Sequence, residues 1–168
     1  LISGKTHLEI PTHLEFRQVE TAAEMRKAIL DDFDTTDVVI MSAAVSDYRP
    51  SEYSPVKIKK TEEPMTISLS RNVDILSDLS DRKDPDQLLV GFAAETDNIL
   101  QNAQQKLVTK NLDLIIANDV SAEGAGFEVD TNIVSIIDGE GKCDQLPLMP
   151  KSDIADQILD RIVQLFQK

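Results

Sequence analysis

The fold of this chain is decided by residues 38–60, VVIMSAAVSDYRPSEYSPVKIKK. The stretch begins with a short β-branched run, which is typical of a strand buried on both faces of a sheet. Small residues follow, then Asp47, and then a loop that carries Lys57, Lys59 and Lys60. A strand that ends in small residues and leads into a charged loop is a common way to build an anion-binding site in an α/β fold.

Strands and helices alternate on either side of this stretch. Thr21 and Glu24 have the spacing of a capping box at the start of a first helix, whereas Pro50 and Pro55 oppose regular structure in residues 42–60. The alternation predicts an α/β fold with a Rossmann-like, doubly wound, mostly parallel sheet. Strands are predicted at residues 14–19, 37–41, 65–69, 88–92 and 112–117, and helices at residues 22–30, 72–80, 97–110 and 152–166.

The last part of the chain departs from this alternation. Residues 132–137 and 144–148 flank the sequence DGEG, a hairpin signature, so these C-terminal strands are predicted to be antiparallel. The final helix has one apolar face because four apolar residues recur at helical spacing: Ile154, Ile158, Ile162 and Leu165. We find no interdomain linker and expect residues 1–168 to form a single domain.

The composition limits the classes of partner. The chain has 168 residues, 30 acidic and 17 basic, with a net charge of −13, so it lacks the broad basic surface that duplex nucleic acid requires. No apolar run approaches the ~20 residues that cross a membrane, and LISGKTHLEI lacks the pattern of a signal peptide. A single cysteine fits a reducing compartment. We therefore expect a cytoplasmic protein with no nucleic-acid or membrane partner.

Several residues that carry chemistry in other proteins lack the right context here. Cys143 has no nearby basic partner in sequence and is a poor nucleophile candidate, and His7 and His13 lack metal-ligand spacing. The Gly124-x-Gly126 pattern precedes an antiparallel strand, the wrong context for a dinucleotide-binding loop. An NAD-dependent oxidoreductase would need such a loop and an acidic residue about 20 positions later.

Three predicted strand ends share one chemical character. Residues 42–44 (SAA), 93–96 (AAET) and 117–119 (AND) place small or polar side chains after a strand. Because ligands in parallel sheets bind outside the carboxyl ends of the strands, we expect the three ends to form one rim of a binding site. Phe92, beside the second of them, is either a core residue or a ring on which a base stacks.

Each charged or polar residue near this rim can be interpreted as a ligand contact or as a feature of the local structure only. The lysines of residues 57–60 belong either to a solvated loop or to a flap over a phosphate or a carboxylate under activation. Lys106 and Lys110 share one helix face, as a surface stripe or as two cations aimed at the same phosphates. Asp47 orients a substrate hydroxyl or a magnesium ion, or caps its own loop. Residues 72–75 bind an anion through free amides, or are capped by Asn72 or Asp74.

Six sequence blocks together resemble one known family. MSAAVSDYRP, KIKK, NVDIL, VGFAAET, KNLDLIIANDV and GFEVDTN occur in this order, as in bacterial phosphopantothenoylcysteine synthetase, the ligase half of the bifunctional coenzyme A biosynthesis flavoprotein. The resemblance covers nearly all of the chain. The ordered set is more specific than any one of its members.

The resemblance implies a ligase that works in two half-steps. The carboxylate of 4′-phosphopantothenate attacks the α-phosphate of CTP to give an acyl-cytidylate and pyrophosphate, and the amine of L-cysteine then displaces CMP. Magnesium is implied, and FMN only if a flavin-dependent decarboxylase domain precedes the chain. The residues alone leave the choice between CTP and ATP open. The family also implies a homodimer, with residues 132–148 as the candidate interface.

The resemblance also implies roles for individual residues. Lys57 is the implied catalytic residue, Lys106 and Lys110 would hold the triphosphate, and Asp47 would meet the ribose or cytosine side, or a metal. Ala43 and Ala44 would border the pantothenate arm. The implied nucleotide contacts are Met41, Ser42, Ala43, Asp47, Lys57, Asn72, Val73, Asp74, Ile75, Phe92, Lys106 and Lys110.

The chain departs from the family pattern in two places. Val73 stands where the family usually has Pro, and Val should be tolerated there because it retains its N–H in the first helical turn. The family also opens with a Gly-rich strand–turn–helix unit and a catalytic Asn, neither of which precedes Leu1. We expect the natural protein to extend on the N-terminal side of Leu1 and to supply this first βα unit.

The competing hypothesis for the function is a non-catalytic Rossmann-like nucleotide-binding module.

Overall fold

The computed structural model describes residues 1–60, 64–122, 124–126 and 129–167. The chain divides into two compact units: unit 1 comprises Leu1–Asp34 and Ala43–Ile75, and unit 2 comprises Thr35–Ser42 and Leu76–Lys168. No helix in the described ranges is long and apolar enough to cross a membrane. In chain order, the elements are β1 (Ile2–Ser3), β2 (Arg17–Gln18), α1 (Ala22–Asp32), a 3₁₀ turn (Phe33–Thr35), β3 (Val38–Met41), β4 (Tyr48–Pro50), β5 (Leu69–Arg71), α2 (Ile75–Ser80), β6 (Leu88–Glu95), α3 (Ile99–Thr109), β7 (Leu114–Asp119), β8 (Thr131–Asn132), β9 (Val134–Asp138), β10 (Cys143–Gln145), β11 (Met149–Pro150) and α4 (Lys151–Phe166).

Unit 2 is built on a five-stranded sheet in the order β10-β9-β7-β6-β3. Strands β3, β6 and β7 are parallel, whereas β9 runs antiparallel to both β7 and β10. A separate antiparallel ladder joins β8 to β11. The fold is therefore mixed α/β with a mostly parallel central sheet, and both the fold class and the antiparallel C-terminal strands are confirmed.

The core of unit 2 lies on both faces of this sheet. Helix α4 places three isoleucines four residues apart against the sheet residues Val90, Leu114 and Ile116, as the helical periodicity predicted. Full burial of each such side chain stabilises the unit by about 1.5–3 kcal/mol. Alternate strand residues such as Ile115 and Ile137 point to the opposite face, where they are also almost completely buried.

Unit 1 combines helix α1 with two short ladders, β1–β2 parallel and β4–β5 antiparallel. The predicted capping box is confirmed, because the Glu24 amide donates to Thr21 Oγ1 at 3.1 Å and the Glu24 carboxylate accepts from the Thr21 amide at 3.2 Å. The helix buries Met25, Ala28 and Ile29 on one face. Its amino end is thus fixed by local contacts.

Two predictions for unit 1 are wrong. Residues 42–60 are not all loop, since Tyr48–Pro50 form β4, and the strand predicted at residues 65–69 is found at Leu69–Arg71. The two strands pair with each other, a long-range pairing that no local pattern reveals. Pro50 is compatible with β4 because it lies at the end of a strand in a two-stranded ladder.

Two further predictions need correction. The strand predicted at residues 37–41 is not buried on both faces: β3 is an edge strand of the sheet, and Ile40 is 42% exposed. The helix predicted at residues 72–80 begins at Ile75. The reason is that the backbone amide of Asn72 donates to Asp47 O at 2.7 Å, and its side chain donates to Ser46 O, so Asn72 belongs to the preceding loop.

Candidate active site

The carboxyl ends of three parallel strands lie at one edge of the unit 2 sheet. Met41, the last residue of β3, is in register with Gly91 of β6, and Glu95, the last residue of β6, is in register with Asp119 of β7. β6 and β7 therefore extend beyond β3. This edge is where ligands bind in parallel sheets, and it carries the unit 2 part of the predicted site.

Three predicted nucleotide contacts near this edge, Met41, Ser42 and Phe92, differ in how far they are exposed. Met41 is buried, whereas Ser42 is exposed directly after it. Phe92 lies one position beyond the register partner of Met41 and packs, partly buried, against the apolar cluster that includes α4. The Phe92 ring thus contributes to the core of unit 2. Only its exposed part is accessible to a ligand.

Lys106 is held by an ion pair at the same edge. Its Nζ lies 2.6 Å from Glu95 Oε1, and Asn102 Nδ2 donates to Glu95 Oε2 at 3.1 Å. Burial alone would raise the pKa of Glu95, but the hydrogen bonds from Lys106 and Asn102 and the Lys106 charge outweigh it, so the pKa lies below its ordinary value. Because long helical side chains point towards the helix N-terminus, the Lys106 ammonium is held near the end of β6.

Two further charged residues of unit 2 stand at the ends of elements, Lys110 after α3 and Asp119 at the end of β7. Lys110 follows the last residue of α3 and is half-buried. Asp119 ends β7, and the hydroxyl and amide of Ser121 both donate to its Oδ1, at 2.6 and 3.0 Å. These hydrogen bonds lower the pKa of Asp119 below its ordinary value.

Unit 1 contains a pocket of about 510 Å³. Its wall includes two of the small residues predicted to border a substrate, Ala43 and Ala44, and the predicted contact Asn72. The start of α1 and strand β4 complete the wall with Thr21, Tyr48 and others. The full lining is Gly4, Val19, Glu20, Thr21, Ala22, Ala23, Met25, Ala43, Ala44, Val45, Ser46, Tyr48, Arg49, Pro50 and Asn72.

Asn72 connects three parts of this wall. Its Nδ2 donates to Ser46 O at 2.8 Å, its backbone amide donates to Asp47 O at 2.7 Å, and its Oδ1 accepts from Arg49 Nη1 at 2.9 Å. The Asn72 side chain therefore fixes the loop that follows β3 and orients Arg49. Any contact with a ligand would add to this positioning role.

The other predicted contacts of unit 1 are mostly at its surface. Asp47 and Asp74 are exposed, Val73 is 57% exposed, and Ile75 is 4% exposed at the first residue of α2. Lys57 is exposed in a segment that connects β4 to β5 and has no regular structure in its described part. That segment is held at its base, where the Ser51 amide donates to Ser68 O at 2.9 Å and the Ser51 and Ser70 hydroxyls are 2.7 Å apart.

Sequence patterns did not identify two charged residues, Arg49 in unit 1 and Glu95 in unit 2. Arg49 lies in the motif SDYRP, two residues after Asp47. Glu95 was noted only as part of a strand end. Its pairing with Lys106 joins residues eleven positions apart, which only the strand–helix geometry brings together.

No group of three or more His, Cys, Asp or Glu side chains in the described part of the chain could hold a metal ion. Burial and the Asp144 charge raise the pKa of the Cys143 thiol.

Comparison with known proteins gives a consistent result. Residues 1–166 match the family profile described as DNA/pantothenate metabolism flavoprotein C-terminal domain. The coenzyme A biosynthesis bifunctional protein CoaBC of Bacillus subtilis (strain 168) is 49% identical over 166 residues, which is 98% of this chain and 41% of that protein. The chain thus spans about two fifths of the length of the curated relatives it matches.

Solved structures agree with the sequence comparison. The C-terminal domain of a coenzyme A biosynthesis bifunctional protein CoaBC superposes with a TM-score of 0.82 at 38% identity, covering 99% of this chain and 73% of that chain. A mutant of Cab2 in complex with phosphopantothenate-cysteine has a TM-score of 0.59 at 19% identity, covering 79% of this chain and 46% of that chain. The second similarity establishes a shared fold.

Proposed function

We propose a function for this chain, which belongs to the family of the DNA/pantothenate metabolism flavoprotein C-terminal domain. It is an enzyme of coenzyme A biosynthesis that joins 4′-phosphopantothenate to L-cysteine. The observation that carries the proposal is the 49% identity to the corresponding part of CoaBC over 98% of the chain. The ligand named in the Cab2 complex, phosphopantothenate-cysteine, is the product of this reaction.

The proposed reaction has two steps. A carboxylate oxygen of 4′-phosphopantothenate attacks the α-phosphorus of CTP and pyrophosphate leaves. The cysteine amine then attacks the acyl carbon of the acyl-cytidylate, and CMP leaves as the amide forms. Because two anions must meet in the first step, positioning and neutralisation of charge would dominate catalysis.

The residues of the chain fit this division of labour. Lys57 would stabilise charge on the phosphoryl group in the transition state, since an exposed lysine on a long connection can approach a bound substrate. Lys106, together with Lys110, would hold the triphosphate at the carboxyl edge of the sheet. Ala43 and Ala44 would border the pantothenate arm, because their small side chains line the pocket of unit 1.

The remaining nucleotide contacts and partners stay part of the proposal. Met41, Ser42, Asp47, Phe92 and residues 72–75 would contact CTP. Magnesium would enter with the nucleotide phosphates, as it does at sites that offer few protein ligands, and FMN would serve only an upstream decarboxylase domain. We also propose a cytoplasmic homodimer that pairs through residues 132–148, with residues 1–168 acting as one ligase domain.

The proposal is tested by incubating the protein with CTP, 4′-phosphopantothenate and magnesium in the absence of cysteine. A ligase releases pyrophosphate, and later addition of cysteine releases CMP in equal amount to the new amide. Replacement of CTP by ATP tests the nucleotide. Binding of CTP without any release of pyrophosphate would contradict the proposal and favour the non-catalytic nucleotide-binding module.

A further inference from the structure

The guanidinium of Arg49 is held in a fixed position in the wall of the unit 1 pocket. Arg49 Nη1 donates to Arg71 O and to Asn72 Oδ1, both at 2.9 Å. Asn72 is itself fixed by its bond to Ser46 O. A long side chain that would otherwise be mobile is thus oriented before any ligand arrives.

The charge of Arg49 is not neutralised by a carboxylate in the described part of the chain. Its two partners are neutral oxygens, although the chain has 30 acidic residues. Other cations pair with acids: Arg17 with Asp32 at 3.0 Å, Lys83 with Asp113 at 2.6 Å, Lys106 with Glu95 at 2.6 Å, and Arg161 with Asp138 at 2.8 Å. Among the described residues, Arg49 therefore has a charge that no carboxylate offsets, in the wall of a pocket.

The two hydrogen bonds of Arg49 leave the Nε–Nη2 edge of its guanidinium without a partner among the described residues. Both bonds use Nη1, and within the described ranges Nε and Nη2 have no partner. Those two groups form the fork that binds two oxygens of a phosphate or carboxylate at once.

We propose that Arg49 binds a phosphoryl group of the substrate that occupies the unit 1 pocket, and that it thereby selects phosphorylated over unphosphorylated substrate. The inference rests on the proposed ligase function. Two sources share this chemistry: the 4′-phosphate of phosphopantothenate and the phosphates of CTP. Asn72 acts through Arg49 as a positioning residue.

The test compares Arg49→Gln and Arg49→Lys with wild type and with Arg71→Gln. Arg71 is the matched control because it lies on the paired strand β5, its side chain is exposed, and it does not line the pocket. The affinities of 4′-phosphopantothenate, pantothenate and CTP are measured by calorimetry, and KM and kcat by product formation. Thermal denaturation checks that each variant folds.

The expected result is a loss of at least about tenfold in affinity for one phosphorylated substrate in Arg49→Gln, as for a lost charged hydrogen bond. Arg49→Lys should lose a smaller part of this affinity, because lysine keeps the positive charge but lacks the pair of N–H groups that binds two oxygens at once. If the 4′-phosphate is the group bound, the preference for 4′-phosphopantothenate over pantothenate falls and CTP binding does not. A selective loss of CTP affinity assigns Arg49 to the nucleotide.

Two contrary results can be told apart. If wild type forms product and Arg49→Gln binds all three compounds as wild type does, the role of Arg49 is refuted while the ligase function stands. If wild type binds 4′-phosphopantothenate and CTP but forms no product, the ligase function fails, and the binding data still decide the role of Arg49. If wild type binds neither phosphorylated compound, both proposals are refuted.

Discussion

The β4–β5 hairpin of unit 1 and the β9–β10 hairpin of unit 2 each have an antiparallel ladder of three residue pairs, yet they use charge in opposite ways. In the β9–β10 hairpin, Asp138 Oδ1 accepts the amides of Glu140 and Lys142, and Oδ2 is 2.8 Å from Arg161 Nη2. In the β4–β5 hairpin, Arg49 meets only neutral oxygens among the described residues, and the connecting segment exposes Lys57.

The comparison separates charges that hold the fold from charges that are available to a ligand. Asp138 is 2% exposed, whereas every residue of β4 is exposed. Both oxygens of the Asp138 carboxylate are used within the fold, so this charge is not offered to a substrate. Lys106 is intermediate, because it pairs with Glu95 while its side chain remains 45% exposed.

Among the variants that test this comparison, Asp138→Ala should have the largest effect, a loss of stability. It would leave the Arg161 side chain, which is 11% exposed, without its main partner and would remove the acceptor of two turn amides. The free energy of unfolding should fall by about 3–5 kcal/mol, as for other broken buried pairs. Urea denaturation measures it. The double variant Asp138→Ala/Arg161→Met should recover part of the loss, and a loss below about 1 kcal/mol in the single variant would show that the pair is dispensable.

Lys57→Ala should lower turnover and leave stability unchanged, the reverse of the result expected for Asp138→Ala. Loss of a positioned cation should lower turnover by about a hundredfold or more, while the urea midpoint stays at the wild-type value because the side chain is exposed. Lys59→Ala is the matched control, since it removes the same charge from the same exposed segment and should retain wild-type turnover. Wild-type kcat in Lys57→Ala would refute the catalytic role.

Lys106→Ala should give an intermediate result. We expect the KM for CTP to rise by about fivefold to tenfold with kcat little changed, which corresponds to the loss of one hydrogen bond to a charged group. Steady-state kinetics at varied CTP measures it. Lys27→Ala is the control, because Lys27 is also paired with a carboxylate, Asp31 at 2.6 Å, on the exposed side of α1. An unchanged KM would assign Lys106 to the fold alone.

The smallest expected effect is the pH dependence contributed by Glu95. Its pKa is lower in the folded state, so its contribution to stability is present above the ordinary carboxyl range and is lost as pH falls towards the lowered value. Glu95→Gln removes this contribution. The urea midpoints of wild type and Glu95→Gln should therefore differ near about pH 6 and converge towards about pH 3. A difference that is constant across this range would show that the carboxylate charge is irrelevant.

Local signals were enough to predict much of unit 2 and the helix of unit 1. The capping box at Thr21 and Glu24, the isoleucine periodicity of α4 and the turn sequence DGEG each act within a few residues, and each is confirmed. Long-range pairing was harder. The β4–β5 ladder joins residues about twenty positions apart, so no pattern within either strand specifies it.

The same distinction applies to the candidate site. Ala43, Ala44 and Asn72, which the family resemblance implies as ligand contacts, line one pocket, and their role as contacts stays a prediction. The partner of each charge could not be predicted, because the pairs Lys106–Glu95 and Arg49–Asn72 depend on which elements meet in the folded chain. The sequence does not show whether a given lysine or arginine is paired with a carboxylate in the folded chain.

The hydrogen bond between Ser51 and Ser68 has an evolutionary consequence. It fixes the two ends of the connection between β4 and β5, so the length of chain between them can change without disturbing either strand. Doubling a flexible loop costs only about 0.6 kcal/mol of closure entropy. Insertions and deletions there would be nearly neutral for folding, and the reach of Lys57 can thus be tuned by natural selection independently of the stability of the protein.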